Sequence, residues 1–395
     1  MTGLPGREPA GFSAGAAQAG VKTGVAERLD VGLIVSDRPC TAAGVFTTNQ
    51  VIAAPCVVTR RHLAHGRLRA IAVNSGIANA CTGAEGERDA IAMAQAAADA
   101  VGCSAYEIAV ASTGVIGWRL PVDRIGKALR EITPTETGFR DVAQAMMTTD
   151  TKPKLIGTAT ETDGGTIRVR GLAKGAGMIH PNMATLLAFV VTDAAVPADR
   201  LQAVAKRAAE RSFNAISVDG DTSTNDTLLI LANGASGVPA SEKSLALTEQ
   251  AIEFVCGALA QEIVADGEGA TKVFEVRVTG AASDDDARLA ARTVTSSNLV
   301  KTAIHGADPN WGRILAAAGR SGARVDDRRA TIRIGAVDVY RDGAPVPFDA
   351  NALRDHFRQP HIVIDLALGL GDGSATAWGS DLSAEYVRIN AEYTT

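Results

Sequence analysis

Residues 171–193, GLAKGAGMIHPNMATLLAFVVTD, hold the densest run of chemically suggestive side chains in the chain. Gly171, Gly175 and Gly177 fall close together, HPNM follows at 180–183, and Ala184 and Thr185 lead straight into an apolar run. This is not a phosphate loop: G-x-x-x-x-G-K-[ST] is missing, and GAGMIH does not satisfy G-x-G-x-x-G. His180 taken alone reads as a hydrogen-bonded turn residue. Spacing therefore reaches a polar, glycine-supported turn that presents a threonine at a strand start, and a plain tight hairpin fits it equally well. A second constellation, Asp219, Asp221, Ser223 and Asn225, alternates like the first oxygen ligands of a calcium loop. Its sixth position is Thr224 where a glycine is required, and its twelfth is Ile230 where a glutamate is required. Turn bonds from side chain to backbone are the better reading, with a non-catalytic cation-binding protein kept as an alternative. Asp308, Pro309, Asn310 and Trp311 read as a turn that opens a helix.

The elements that must position these residues are legible as alternating periods. Short β-branched runs recur at 31–35, 71–73, 107–112, 186–192, 227–233, 273–278 and 361–368, and helical spacing fills 87–101, 123–132, 197–211 and 243–265. Pro197 to Asp199 and Ser241 to Glu242 are helix starts, and Gly102 and Gly267 are stops. Strands and helices in mixed order with no low-complexity linker predict a layered α/β protein. A smaller C-terminal lobe is expected from about Thr279, where GAASDDDA breaks the strand pattern and its three aspartates read as a solvated loop.

Composition narrows the class. Of 395 residues, 46% are hydrophobic and only 21% charged, enough apolar surface for a filled core. A net charge of -5 gives no nucleic-acid surface, and no run approaches the ~20 apolar residues of a membrane span. No secretory signal pattern opens the sequence, so a cytoplasmic location is expected. Cys40, Cys56, Cys81, Cys103 and Cys256 are scattered and odd in number, which favours reduced, buried thiols over disulfides or zinc.

KGAGMIHPNMATLLAF at 174–189 resembles the self-cleavage segment of the ornithine acetyltransferase family, the glutamate N-acetyltransferases of arginine biosynthesis. Further blocks that resemble the family are AAGVFTTN at 42–49, VNSGIANACTG at 73–83, STGVIG at 112–117 and MTTDTKPK at 147–154. SFNAISVDGDTSTNDT at 212–227, DGEGATK at 266–272, LVKTAIHGADPNWGRI at 299–314 and DLSAEYVRINAEY at 381–393 complete a set that spans nearly the whole chain in order.

The resemblance implies an αββα-type sandwich cleaved between Ala184 and Thr185 into an alpha chain, 1–184, and a beta chain, 185–395, associated as a dimer of such heterodimers. Cleavage would give Thr185 a free α-amine with a pKa of ~7.7–8.0, able to take the proton of its own hydroxyl during attack. Thr185 would then carry acetyl from N-acetylornithine to glutamate in a ping-pong cycle, with no cofactor or metal. Acetyl-CoA is a candidate second donor, although the sequence shows no evident CoA-binding signature. Thr113 and Gly114 are implied as oxyanion donors, through a hydroxyl and a backbone N–H. Thr148, Lys174, Glu268, Asn390 and Thr395 are implied as substrate contacts. Charge matching would set Glu268 against an ornithine ammonium and Lys174 against a carboxylate. The alternative within the enzymes is a self-processed aminopeptidase or amidohydrolase, with water as the acceptor.

Overall fold

A computed structural model describes residues 8–22, 28–180 and 186–392. The first sheet runs, from one edge to the other, Ile108–Ser112, Arg67–Asn74, Val31–Phe46, Thr227–Ala232, Leu187–Thr192, Gly165–Lys174 and Lys154–Thr162, with Phe12–Ala17 paired to the long Val31–Phe46 strand. That long strand turns the sheet back on itself. Its first residues pair with Arg67–Asn74, the register shifts between Val35 and Cys40, and its last residues pair with Thr227–Ala232.

Side-chain alternation then decides the layers, because neighbouring residues of a strand face opposite sides. Leu187, Phe189 and Val191 share one apolar cluster with Leu229 and Leu231 from the same half, and with Ile71, Val73, Ala109 and Ala111 from the other half. Ala188, Val190, Leu228 and Ile230 face the opposite way, onto helices Ala198–Arg211 and Glu242–Ala265. Ala70, Ala72, Ile108 and Val110 likewise face helices Gly83–Val101 and Val122–Glu131. The result is helix, sheet half, sheet half, helix: an αββα sandwich. Strands buried on both faces explain why Leu187–Thr192 and Thr227–Ala232 read as continuous apolar runs.

The C-terminal lobe has its own sheet, in the order Ala344–Pro345, Val337–Arg341, Thr331–Ile334, His361–Ala367, Val273–Ala281, Gly373–Ser380 and Ile216–Ser217. It has a separate core in which Phe274, Val276 and Val278 meet Ala287, Ala290 and Val294 of helix Asp284–Thr295. Apart from the short strand Ile216–Ser217, the lobe's strands begin at Val273, and Thr279 lies inside the first long one. Asp284, Asp285 and Asp286 are not a loop; they form the first turn of that helix, where the exposed N–H groups favour negative charge, and Ser283 caps it. The five cysteines are free; Cys40, Cys56 and Cys256 are buried, but Cys103 is half-buried and Cys81 exposed, contrary to the expectation of uniformly buried thiols. Among the described residues no helix is long and apolar enough to cross a membrane.

Phe189 sits at the centre of the inner layer with no exposed surface. Phe189→Ala is expected to cost ~3–5 kcal/mol through lost burial and an unfilled cavity, read as a lowered midpoint in denaturant unfolding.

Candidate active site

One end of the sandwich opens into a cavity of about 360 Å³. Strand ends from both layers converge there. Thr113 and Gly114 follow strand Ile108–Ser112, Lys174 ends strand Gly165–Lys174, Leu187 begins the next strand, and Thr148 precedes strand Lys154–Thr162. Glu268, just past helix Glu242–Ala265, and Asn390, on helix Ala384–Glu392, close the far side.

Each wall has a physical reason. Gly114 has φ +129°, and a Cβ there would run into the backbone of Gly76 and Ile77. Only glycine fits, and the turn is locked by Thr113 N–H donating to Asn74 O (3.0 Å) and Val115 N–H to Gly76 O (3.1 Å). Among the described residues no acceptor takes the Gly114 N–H. Asn225 braces the same turn by donating to Ser112 O (2.8 Å) and Ala78 O (2.7 Å). Gly177 packs on Glu268 so closely that a Cβ would strike its carboxylate, and Glu268 N–H donates to Ala176 O at 2.8 Å.

Lys174 is 8% exposed, and its Nζ donates to Thr148 Oγ1 (2.8 Å) and Thr113 Oγ1 (3.2 Å). Burial pushes its pKa below the ordinary lysine value, against the opposing pull of Asp150. Because the ammonium can only donate, the Thr113 hydroxyl keeps its own proton for another acceptor. Glu268 is 9% exposed and accepts from Asn390 Nδ2 at 2.8 Å.

Beneath the pocket, Asp150 accepts from Gly175 N–H (2.7 Å), Thr148 N–H (3.1 Å) and Lys154 Nζ (2.7 Å). Lys154 also reaches Asp266 at 2.5 Å, and its side chain has no exposed surface. For Asp150, burial acts to raise the pKa, but the Lys174 and Lys154 charges and the Gly175 N–H outweigh it and hold the carboxyl below its usual range.

Six of the expected residues therefore meet in one pocket: Thr113, Gly114, Thr148, Lys174, Glu268 and Asn390. Ala184, Thr185 and Thr395 lie outside the described residues. Asp219 accepts from the Met178 and Ile179 N–H groups (2.5 and 2.9 Å), and Thr222 donates to His180 O (3.1 Å), so the calcium-like loop is a brace for residues 178–180. Among the described residues no cluster of His, Cys, Asp or Glu has metal-binding form. His180 is held by Ser217 Oγ (3.1 Å) and Arg292 (3.3 Å), and burial, with Arg292 adding to it, pushes its pKa down to about 4. Sequence reasoning passed over Asp150, whose signal was an acid four residues before a lysine in a segment with no helical pattern. Gly177 and Asn225 stood out in the sequence, but as parts of a glycine-supported turn and a calcium-like loop and not as walls of this pocket.

A half-open pocket with opposed charges and hydroxyls at the strand ends of an αββα sandwich defines an enzyme that acts on small molecules. The model of the ArgJ family matches residues 13–395. The arginine biosynthesis bifunctional protein ArgJ of Dehalococcoides mccartyi is 50% identical over 391 residues, covering 98% of this chain and 96% of that protein. Its counterpart in Symbiobacterium thermophilum is 50% identical over 393 residues, covering 98% of both. The crystal structure of the Bacillus halodurans protein of the same name is 41% identical with a TM-score of 0.50, covering 52% of this chain and 98% of that one. The chain belongs to the ArgJ family and is an enzyme of arginine biosynthesis.

Lys154→Met would strand two buried carboxylates, and is expected to cost ~3–5 kcal/mol, measured as a fall in unfolding midpoint at pH 7. Since the folded pKa of Asp150 lies below its ordinary 3.8, its contribution is full above ~pH 4 and is lost as pH falls through that lower value.

Proposed function

We propose that this enzyme is a glutamate N-acetyltransferase that takes acetyl from N-acetylornithine and passes it to glutamate through an acetyl ester on Thr185. The observation that carries this reading is the joining, in one pocket, of a Gly114 N–H that has no acceptor among the described residues, the Thr113 hydroxyl, the Lys174 ammonium and the Glu268 carboxylate. Leu186, next in sequence to Thr185, lines the same pocket.

The first step is self-cleavage. The Thr185 hydroxyl attacks the Ala184 carbonyl and exchanges the amide for an ester, which frees the Thr185 amine; water then hydrolyses the ester, restoring the hydroxyl and releasing the Ala184 carboxylate. Residues 185–395 would make up 211 of 395, or 53% of the chain. In support, the solved Bacillus halodurans chain is matched over 98% of its length by only 52% of this chain, as a separate fragment would be.

The free amine then serves as base while the Thr185 hydroxyl attacks the acetyl carbonyl of N-acetylornithine. Negative charge grows on the carbonyl oxygen, where the Thr113 hydroxyl and Gly114 N–H donate to it. Lys174 behind Thr113 strengthens that donor by polarising its oxygen. Ornithine leaves, glutamate enters, and the same donors serve the second tetrahedral intermediate. Glu268, steadied by Asn390, faces an ornithine ammonium. Two of the three Lys174 N–H donors are engaged by Thr113 and Thr148, and the third is directed to a substrate carboxylate. Acetyl-CoA as a further donor, a dimer of cleaved heterodimers and a cytoplasmic location belong to the same reading.

Freshly purified protein is expected to run on a denaturing gel as two pieces, 1–184 and 185–395, the second opening Thr-Leu-Leu-Ala-Phe by Edman sequencing. Thr185→Ala should leave one intact, inactive chain; an active enzyme found intact would end the mechanism.

In an assay of acetyl transfer from N-acetylornithine to glutamate, Thr113→Val is expected to lower kcat by ~10²–10³ with little change in KM, because the oxyanion exists only in the transition state. Acetate release without acetylglutamate in the wild-type enzyme would replace transfer with hydrolysis.

A further inference from the structure

Residues 217–227 form a segment that is itself firmly anchored. Thr47 Oγ1 donates to Ser223 O (2.8 Å), Asn49 Nδ2 to Thr222 O (3.0 Å) and Ala53 N–H to Thr224 O (3.0 Å), which ties it to the sandwich. Its Asn225 braces the turn at Gly114 through Ser112 O and Ala78 O.

From this base the segment grips the chain on both sides of residues 181–185, whose last two carry the Ala184–Thr185 bond. Downstream, Thr227 N–H donates to Leu186 O (2.9 Å). Upstream, Val218 N–H donates to Ile179 O (2.6 Å), Thr222 Oγ1 donates to His180 O (3.1 Å), and Ser217 Oγ meets His180 Nδ1 (3.1 Å). Asp219 completes the upstream grip, with one carboxylate oxygen on Met178 N–H (2.5 Å) and the other on Ile179 N–H (2.9 Å).

Met178 is the strained point of that grip. Its φ is +57°, left-handed backbone that disfavours any residue with a Cβ. The side chain is 42% exposed, so its own packing does not hold the backbone there. Two successive N–H groups beside a left-handed residue form a concave nest for an anion, and the Asp219 carboxylate fills it. Without the carboxylate, Met178 is free to return to ordinary backbone angles and to redirect the chain that follows.

We propose that Asp219 is a positioning residue for self-cleavage: by holding Met178 left-handed it sets the direction in which the chain enters residues 181–185, while Thr227 fixes where it leaves. Attack of a hydroxyl on the carbonyl next to it needs both ends fixed, because a segment held at one end relaxes away from the reactive geometry. In the step itself the Thr185 oxygen bonds to the Ala184 carbonyl carbon, the C–N bond breaks, and the nitrogen takes the proton that the hydroxyl gives up. Asp219 takes no part in those bond changes. The inference rests on the self-cleavage proposed above and not on the transfer chemistry.

The test follows the labelled 395-residue chain, made by cell-free translation, as it converts to fragments 1–184 and 185–395 on a denaturing gel. Asp219→Ala is expected to slow conversion about tenfold or more, the weight of one charge-assisted bond. Adding Met178→Gly should recover about fivefold or more, since glycine adopts positive φ without the penalty. Adding Met178→Ala should recover nothing, because alanine removes the long side chain but keeps the left-handed penalty. Asp219→Asn, which retains one acceptor oxygen, should fall between Asp219→Ala and wild type, and it carries the same rescue comparison should Asp219→Ala not fold. Wild-type speed in either Asp219 variant, equal recovery by glycine and alanine, or no recovery by glycine overturns the positioning role and leaves self-cleavage standing. A wild-type chain that stays whole overturns both.

Discussion

A lysine with no exposed surface, Lys154, held between Asp150 and Asp266, is the contact from which the active-site end of the molecule is built. Two buried carboxylates and one ammonium are tolerable only because nearly every lone pair is used: Asp150 also takes the Gly175 and Thr148 N–H groups, and Asp266 takes the N–H of Thr151. Those extra bonds fix three separate pieces of chain. The turn at 147–151 brings Thr148 to Lys174, the bond to Gly175 N–H fixes the end of strand Gly165–Lys174, and the cap of helix Glu242–Ala265 places Glu268 two residues on. Lys174 then stands above a carboxylate that is itself held ionised, which offsets its burial only in part, so its pKa stays below the ordinary lysine value.

The far wall of the pocket depends on a third buried acid. Asp381 accepts from the N–H groups of Thr271 (2.7 Å) and Lys272 (2.9 Å), from Thr271 Oγ1 (2.6 Å) and from His305 Nδ1 (2.7 Å). Ser383 Oγ donates to Gly269 O at 2.6 Å, and a Cβ on Gly269 would collide with the backbone N of Tyr386. Three segments distant in sequence are thereby clamped, and the clamp aims helix Ala384–Glu392 so that Asn390 meets Glu268. The C-terminal lobe shares the short strand Ile216–Ser217 with the sandwich's core and contributes to the pocket by anchoring this helix.

Much of the layering was legible in one dimension. Continuous apolar runs at 186–192 and 227–233 are what strands covered on both faces require, and helices at 83–101, 122–131, 198–211 and 242–265 agree with their periodicity to within a few residues. Strands Lys154–Thr162 and Gly165–Lys174 escaped that reading, because their outer parts are only partly buried and carry many threonines and charges. The three aspartates at 284–286 misled for a related reason. Local charge suggests solvent, while the helix N-terminus that stabilises them is set by packing of Ala287, Ala290 and Val294 further along.

The sequence by itself determined the period of each buried element, the glycines that permit close backbone approach, and, through ordered blocks along nearly the whole chain, the family and its expected site residues. Only the tertiary structure decided that the long Val31–Phe46 strand bends the sheet into two facing halves, that Asp150 underlies Lys174, and that the calcium-like loop spends its oxygens on backbone N–H groups of 178 and 179. Local periodicity records which side of a strand or helix is apolar. The pairing of Lys154 with Asp266, or of Asn390 with Glu268, joins residues 112 and 122 positions apart. Such contacts are fixed by the balance between desolvating a charge and meeting its partner, and that balance exists only once the chain has folded.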